Sequence, residues 1–257
     1  MTGGLSVDGL TVRFGGAVAV DGFSFTAPPG RITGLIGPNG AGKTTTFNAC
    51  TGIIRPAAGT VGLDGVDVTR VSVAARARRG LGRTFQEVEL FDSLTVAANV
   101  AMGREGSLAG ANPLRHVVGH SGDRRAVDAV TAEALEMCGI AELAPARAGS
   151  LSTGHRRLVE LARVLAGRFH LLLLDEPSAG LDEHESEAFA GILRRAVAER
   201  GVGIFLVEHD MALVMAVCEH IHVLDFGRHL FSGTPDEVAA SAAVRDAYLG
   251  AEVGDVA

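Results

Sequence analysis

The chain has 257 residues, 47% of them hydrophobic, and a formal net charge of −7. That length suits one large α/β domain or a core with a smaller subdomain, and the acidic balance excludes a broad nucleic-acid footprint. No apolar run approaches the ~20 residues of a membrane span, and Met1-Thr2-Gly3-Gly4 opens no signal peptide, so any membrane role is expected to come through a partner.

In chain order, Leu5-Ser6-Val7, residues 10–14 and Phe23-Ser24-Phe25 alternate apolar with polar side chains, the period of half-exposed strands. Phe14, upstream on this sheet, reads equally as a core or edge aromatic and as a platform for adenine. After a turn at Pro28-Pro29-Gly30, residues 32–36 form a short buried strand. Gly37-Pro38-Asn39-Gly40-Ala41-Gly42-Lys43-Thr44-Thr45 follows and fits G-x-x-x-x-G-K-[ST] at every fixed position, with a helix opening behind it. Glycines let the backbone wrap an anion, while successive N–H groups and the helix N-terminus supply partial positive charge. Lys43 is expected to reach the terminal phosphates and the Thr44 hydroxyl to help hold Mg²⁺. Lys43 is the chain's only lysine, and a planar guanidinium cannot replace a compact ammonium in so tight a loop.

Residues 59–68 read as a further hairpin turning at Asp64-Gly65, and residues 74–79 as a short basic helix with a solvated face. Residues 82–86 read as a strand ending in the polar Gln86. From 92 to 167 the pattern is helical, with residues 103–122 expected as a loop because they are rich in Gly, Ser, Asn and His. Ser152 is an expected N-cap for an amphipathic helix carrying Leu158, Leu161, Ala162 and Leu165 on one face, and the N–H groups of that helix start suit an anion.

The α/β pattern resumes with Leu171-Leu172-Leu173-Leu174, an unbroken run typical of a central parallel strand, ending in Asp175-Glu176. A helix over 183–200 and a buried strand over 203–207, ending in Glu208-His209, come next. Ligands sit at the carboxyl ends of strands in open parallel sheets, so neighbouring strands would bring the phosphate loop, Asp175-Glu176 and Glu208-His209 to one nucleotide. Asp175 is suited to Mg²⁺, Glu176 to polarising an attacking water, and His209 to sensing a γ-phosphate. Cys50, Cys138 and Cys218 are far apart, as suits buried apolar residues in a reducing compartment. Cys218, His220 and His222 alternate as if on one strand face, but a single cluster without a distant partner is poor zinc spacing.

Together these motifs resemble the nucleotide-binding subunit of an ABC transporter over nearly the whole chain. The resemblance implies an α/β P-loop nucleotide-binding domain with an antiparallel β subdomain and an inserted α-helical subdomain. Residues 1–90 and 168–257 would be the core with its β subdomain, and 91–167 the helical part. It identifies 37–44 with Walker A, Gln86 with the Q-loop glutamine (a catalytic and Mg²⁺-binding position), and Leu151 to His155 with the family signature. Asp175 falls in Walker B, Glu176 at the catalytic glutamate, residues 178–182 in the D-loop and His209 at the switch histidine. Phe14 takes the adenine position, and Ser152, Gly154 and Asp182 contribute to the nucleotide site. Thr153 and His155 depart from the commonest Leu-Ser-Gly-Gly-Gln signature, which bears on turnover.

Within the family the chain is most similar to the importer ATPases for branched-chain amino acids, on Arg83-Thr84-Phe85-Gln86, residues 208–215 and the tail from Gly233-Thr234-Pro235 to Ala247-Tyr248-Leu249-Gly250. Urea- and amide-importer ATPases share much of this pattern. The resemblance implies ATP and Mg²⁺, a second ATP-binding subunit, an integral-membrane permease served by an external solute-binding protein, no nucleic acid, and a place on the cytoplasmic face of the membrane. Two alternatives stand beside it: an ATPase of lipid or lipopolysaccharide export, and a non-transport ABC ATPase with soluble partners.

Overall fold

A computed structural model describes the backbone of residues 3–84, 89–109 and 121–254, and side chains throughout these except at 105–109, 121–123 and 249–254. Gln86 and the middle of the 103–122 segment therefore lie outside the described residues.

The N-terminal segment pairs β1 (Leu5–Phe14) with β2 (Ala17–Ala27) as a hairpin. The two stretches expected as separate strands before Phe14 are one strand with register shifts after Val7. β3 (Ile32–Ile36) leads through the phosphate loop into α1 (Lys43–Thr51). β4 (Ala58–Leu63) and β5 (Val66–Asp67) turn at Asp64 and Gly65, as the sequence predicts. β1 lies between β2 and β4, which gives an antiparallel sheet of order β2-β1-β4-β5.

α2 (Val73–Arg78) corrects one expectation: its basic face is not all solvated. Arg76 is 1% exposed and its guanidinium reaches under α1 to the carbonyl oxygens of Ala49 and Cys50. β6 (Leu81–Arg83) follows.

α3 (Val96–Ala109) and α4 (Ser121–Met137) correct another. Helix occupies 103–109 and resumes at Ser121, so both ends of the expected 103–122 loop are helical. Gly103 misled the sequence reading because its role is packing. A Cβ there would collide with the backbone carbonyl oxygen of Arg163 on α5 (Thr153–Ala166), so the glycine lets two helices approach and makes no turn. α3, α4 and α5 all pack on one another.

β7 (Leu171–Asp175), α6 (Glu183–Arg200), β8 (Gly203–Val207), α7 (Met211–Val217), β9 (His220–Asp225) and β10 (Arg228–Gly233) rebuild the α/β layer. α8 (Pro235–Ala240) and α9 (Ala242–Gly254) close the described chain. The second sheet has order β10-β9-β3-β8-β7-β6, parallel except where β10 returns against β9.

The unbroken apolar runs follow from burial on both faces. On β7, Leu171 and Leu173 point into the core shared with α1 and the antiparallel sheet; Leu172 and Leu174 point into the core under α5, α6 and α7. Cys218 ends α7 and is off the strand that carries His220 and His222, so the three do not share a strand face. His222 is buried beside Phe23 and Phe25, and burial pushes its imidazole down to about 4. All three cysteines are buried and free.

Candidate functional site

β8 lies between β3 and β7, with Leu35 level with Val207 and Val207 level with Asp175. The parallel register therefore delivers the residues after Ile36, Asp175 and Val207 to one edge of the sheet. This is the arrangement expected from the strand ends.

In the phosphate loop Gly42 caps α1 at φ 99°, where a Cβ would press on the carbonyl oxygen of Ala19, so only glycine fits. Gly37 and Pro38 are buried, and Asn39, Gly40 and Thr44 are exposed, with Ala41 tucked beneath them and Thr45 half-buried. Lys43 is nearly buried, and its Nζ donates to the carbonyl oxygens of Gly37 at 2.7 Å and Pro38 at 3.0 Å. Burial lowers its pKa, while the nearby Glu176 and Asp175 raise it. The ammonium rests on its own loop, with two carboxylates close by.

Asp175 is 2% exposed, its N–H donates to Thr84 Oγ1 at 3.2 Å, and its buried Oδ1 has no hydrogen-bond partner among the described residues. Burial and then the Glu176 charge push its carboxyl up to about 6, against the pull of Arg83. Glu176 has a left-handed backbone, φ 46°, fixed by its N–H donating to Val207 O at 2.8 Å. That conformation is uncommon for glutamate and is held where the sheet determines it. The Glu176 carboxylate lies 3.8 Å from His209 Nδ1.

Glu208 is fully buried. One of its oxygens accepts from Ser178 N–H (2.9 Å) and Ser178 Oγ–H (2.6 Å); the other accepts from the N–H groups of His209 (2.9 Å) and Asp210 (3.2 Å). Sequence reading noted Glu208 as a strand end but assigned it no role. The available signal was an acidic side chain directly after five buried apolar residues, which must find donors inside the protein.

The signature segment stands elsewhere on the chain. Ser152 caps α5, accepting from His155 N–H at 3.3 Å, and its Oγ is 3.0 Å from His155 Nδ1. A Cβ on Gly154 would collide with the Glu185 carboxylate, so the glycine lets the starts of α5 and α6 meet. Asp182 caps α6 in a reciprocal pair with Glu185. α5 packs on α3, α4 and α6, whereas α1 packs on β1, β2, β7 and β8. Phe14 is 53% exposed at the end of β1, which removes the core reading and leaves a ring open to a ligand.

A family model described as "ABC transporter" matches residues 20–179. The chain belongs to the ABC transporter ATP-binding family. A second model, "Branched-chain amino acid ATP-binding cassette transporter", matches residues 228–254 of this cassette. The high-affinity branched-chain amino acid transport ATP-binding protein BraF of Pseudomonas aeruginosa is 37% identical, over 96% of this chain and 97% of that protein. LivG of Escherichia coli, of the same description, gives the same figures. Among solved structures, an ATP-binding cassette of an ABC transporter in its ADP conformation superposes with a TM-score of 0.84 at 27% identity, covering 97% of this chain and all of that one. A nucleotide-free cassette gives 0.82 at 26% identity, with 95% and 97% covered. The α/β P-loop fold with its antiparallel sheet and helices is the one expected, and as a member of a family that hydrolyses ATP to drive transport the cassette is an ATPase. Among the described residues, no helix is long and apolar enough to cross a membrane.

Proposed function

We propose that the cassette powers an importer of branched-chain amino acids, as one of a pair of ATP-binding subunits beneath a membrane permease at the cytoplasmic face. The observation that carries this reading is that likeness to BraF and LivG runs the full length and includes the tail at 228–254. In this reading residues 1–90 with 168–257 bind nucleotide, and 91–167 carry the signature to a second cassette. Separate packing environments for α1 and α5 support a site completed by a partner.

Phe14 stacks on adenine. Lys43 leaves the Gly37 and Pro38 carbonyls for the terminal phosphates, which the 37–45 backbone wraps. Asp175 and Thr44 would hold Mg²⁺: a buried Asp175 oxygen with no partner among the described residues, together with an exposed Thr44 hydroxyl, suits a hard cation. Held there, Mg²⁺ would supply charge neutralisation at the phosphates. Glu176 orients and deprotonates the attacking water, and its fixed backbone keeps the carboxylate on the side of His209, which reads the γ-phosphate. Ser152, Gly154 and Asp182 serve the partner's nucleotide. Gln86 keeps its expected catalytic and Mg²⁺-binding role, outside the described residues.

Phe91 is exposed, and its backbone is gripped on both sides by the Asn99 amide, which suits a rigid permease contact. Nucleotide drives transport only if the permease's two orientations bind the closed and open pairs differently. An external solute-binding protein then delivers cargo to the permease.

The test traps the ATP-bound pair with Glu176→Gln and recovers its partners from native membranes. A polytopic permease that moves labelled leucine on reconstitution supports the reading. Transport of urea in place of leucine, or export of lipid, reassigns the cargo. Capture of soluble proteins alone overturns the transporter role.

A further inference from the structure

We propose that Glu208 is a positioning residue that locks the D-loop to the switch histidine, so that turnover depends on both segments sharing one register. The inference rests on the ATPase reading above and assigns a role to a buried carboxylate which that mechanism leaves unused.

The geometry is specific. Ser178 starts the D-loop two residues after Glu176, and His209 follows Glu208 directly. One carboxylate takes two donors from each side, with the Ser178 hydroxyl at 2.6 Å in a short charge-assisted bond. The His209 imidazole stands between two carboxylates, its Nδ1 3.7 Å from Glu208 and 3.8 Å from Glu176. Asp210 extends the tie: it caps α7 and accepts from Ser186 Oγ on α6 at 3.2 Å. On the other side Arg157, on the signature helix, donates to the Ala179 carbonyl at 3.4 Å. A shift of the D-loop as a partner docks thus pulls on the backbone that aims His209.

Glutamine at 208 severs one half of this clasp at nearly constant volume. An amide has one accepting oxygen, and its NH₂ end cannot accept from backbone N–H groups. Either the Ser178 side or the His209–Asp210 side loses its acceptor.

The experiment measures ATP hydrolysis and ATP-driven pairing of the full chain in Glu208→Gln, His209→Ala and the double variant. Glu208→Gln is expected to lower kcat about 10- to 100-fold, a transition-state loss of about 1.4–2.7 kcal/mol. KM and pairing should move by less than about threefold, since the lost interaction acts in the transition state. Because Glu208 acts through His209, the double variant should be no more than about threefold slower than the slower single variant. Unchanged kcat in Glu208→Gln, multiplicative losses in the double variant, or KM and pairing lost in step with kcat each overturn the proposal. If Glu208→Gln fails to fold, Ser178→Ala, which removes one donor of four, replaces it in the same cycle: a fall in kcat non-additive with His209→Ala supports the clasp, and unchanged kcat overturns it. A wild-type chain that neither pairs nor hydrolyses ATP would refute the functional reading itself, an outcome separate from any behaviour of the variants.

Discussion

Arg76 donates through Nη1 to the carbonyl oxygen of Cys50 at 2.6 Å, from a position sealed beneath the end of α1. The same nitrogen reaches Ala49 O at 2.8 Å, Nε reaches Val71 O at 3.0 Å, and Nη2 reaches Thr69 O at 3.1 Å. One guanidinium thus caps the negative end of the phosphate helix and ties it to the β4–β5 hairpin's exit. Burial lowers the Arg76 pKa, but four carbonyls keep the cation in place. Arg76→Leu is expected to cost about 3 kcal/mol, because it leaves buried acceptors unpaired. Arg76→Lys should recover only part of that, since a single ammonium cannot match the planar fork. Urea unfolding with unchanged slope measures both, and a loss below about 0.5 kcal/mol for Arg76→Leu would refute the cap.

Gly103 offers a second test, with opposed effects to weigh. Alanine in a helix interior is intrinsically better than glycine by about 0.8–1.0 kcal/mol. Here its Cβ would meet the Arg163 carbonyl, backbone of a packed helix that cannot rotate away. Overpacking typically costs about 1–3 kcal/mol, so it should win. Gly103→Ala is expected to lower Tm and Gly103→Val to lower it further. A higher Tm for Gly103→Ala would mean α3 and α5 do not approach so closely.

Asp175 sets a pH dependence whose sign follows from its raised carboxyl. Its folded value of about 6 lies above the 3.8 of an ordinary aspartate, so folding takes up a proton between them. The associated stability is complete below 3.8 and lost as pH rises through about 6, amounting to about 3 kcal/mol. Asp175→Asn should therefore raise the Tm of the nucleotide-free cassette by several degrees at pH 8, a gap that closes as pH falls below about 6. With Mg²⁺ and ATP the order should invert, because the wild-type carboxylate then gains its cation. Equal Tm values at pH 8 without nucleotide would refute the burial cost.

Much of this was legible in the sequence where local pattern and final role coincide. Leu171 to Leu174 had to be central because no polar face is left for water, and the placing of Asp175 and Glu208 at neighbouring strand ends followed from that. Ser152 announced a helix start through its own side chain. Gly103 and Arg76 were misread for a common reason. Each is explained by a partner far along the chain, Arg163 and the end of α1, and pattern reading sees only neighbours. The Glu208 clasp was hidden in the same way, because its donors at Ser178 lie 30 residues upstream.

The signature departure at His155 carries the last prediction. Ser152 Oγ already accepts from the His155 N–H, and Nδ1 stands 3.0 Å away. With Nδ1 unprotonated, the serine hydroxyl donates inward to the ring, and its one proton is unavailable to a phosphate on the partner's nucleotide. With Nδ1 protonated, both lone pairs of Oγ accept from His155 and the hydroxyl proton turns outward. His155→Gln, the commonest residue at this position in the family, removes the fixed ring acceptor. It should raise kcat by a few-fold, in the range of one neutral hydrogen bond of about 0.5–1.5 kcal/mol. His184 and Glu185 face His155 across the small pocket between α5 and α6, so His184→Gln serves as the control and should leave kcat unchanged. An unchanged kcat in His155→Gln would show that Ser152 reaches its phosphate despite the ring beside it.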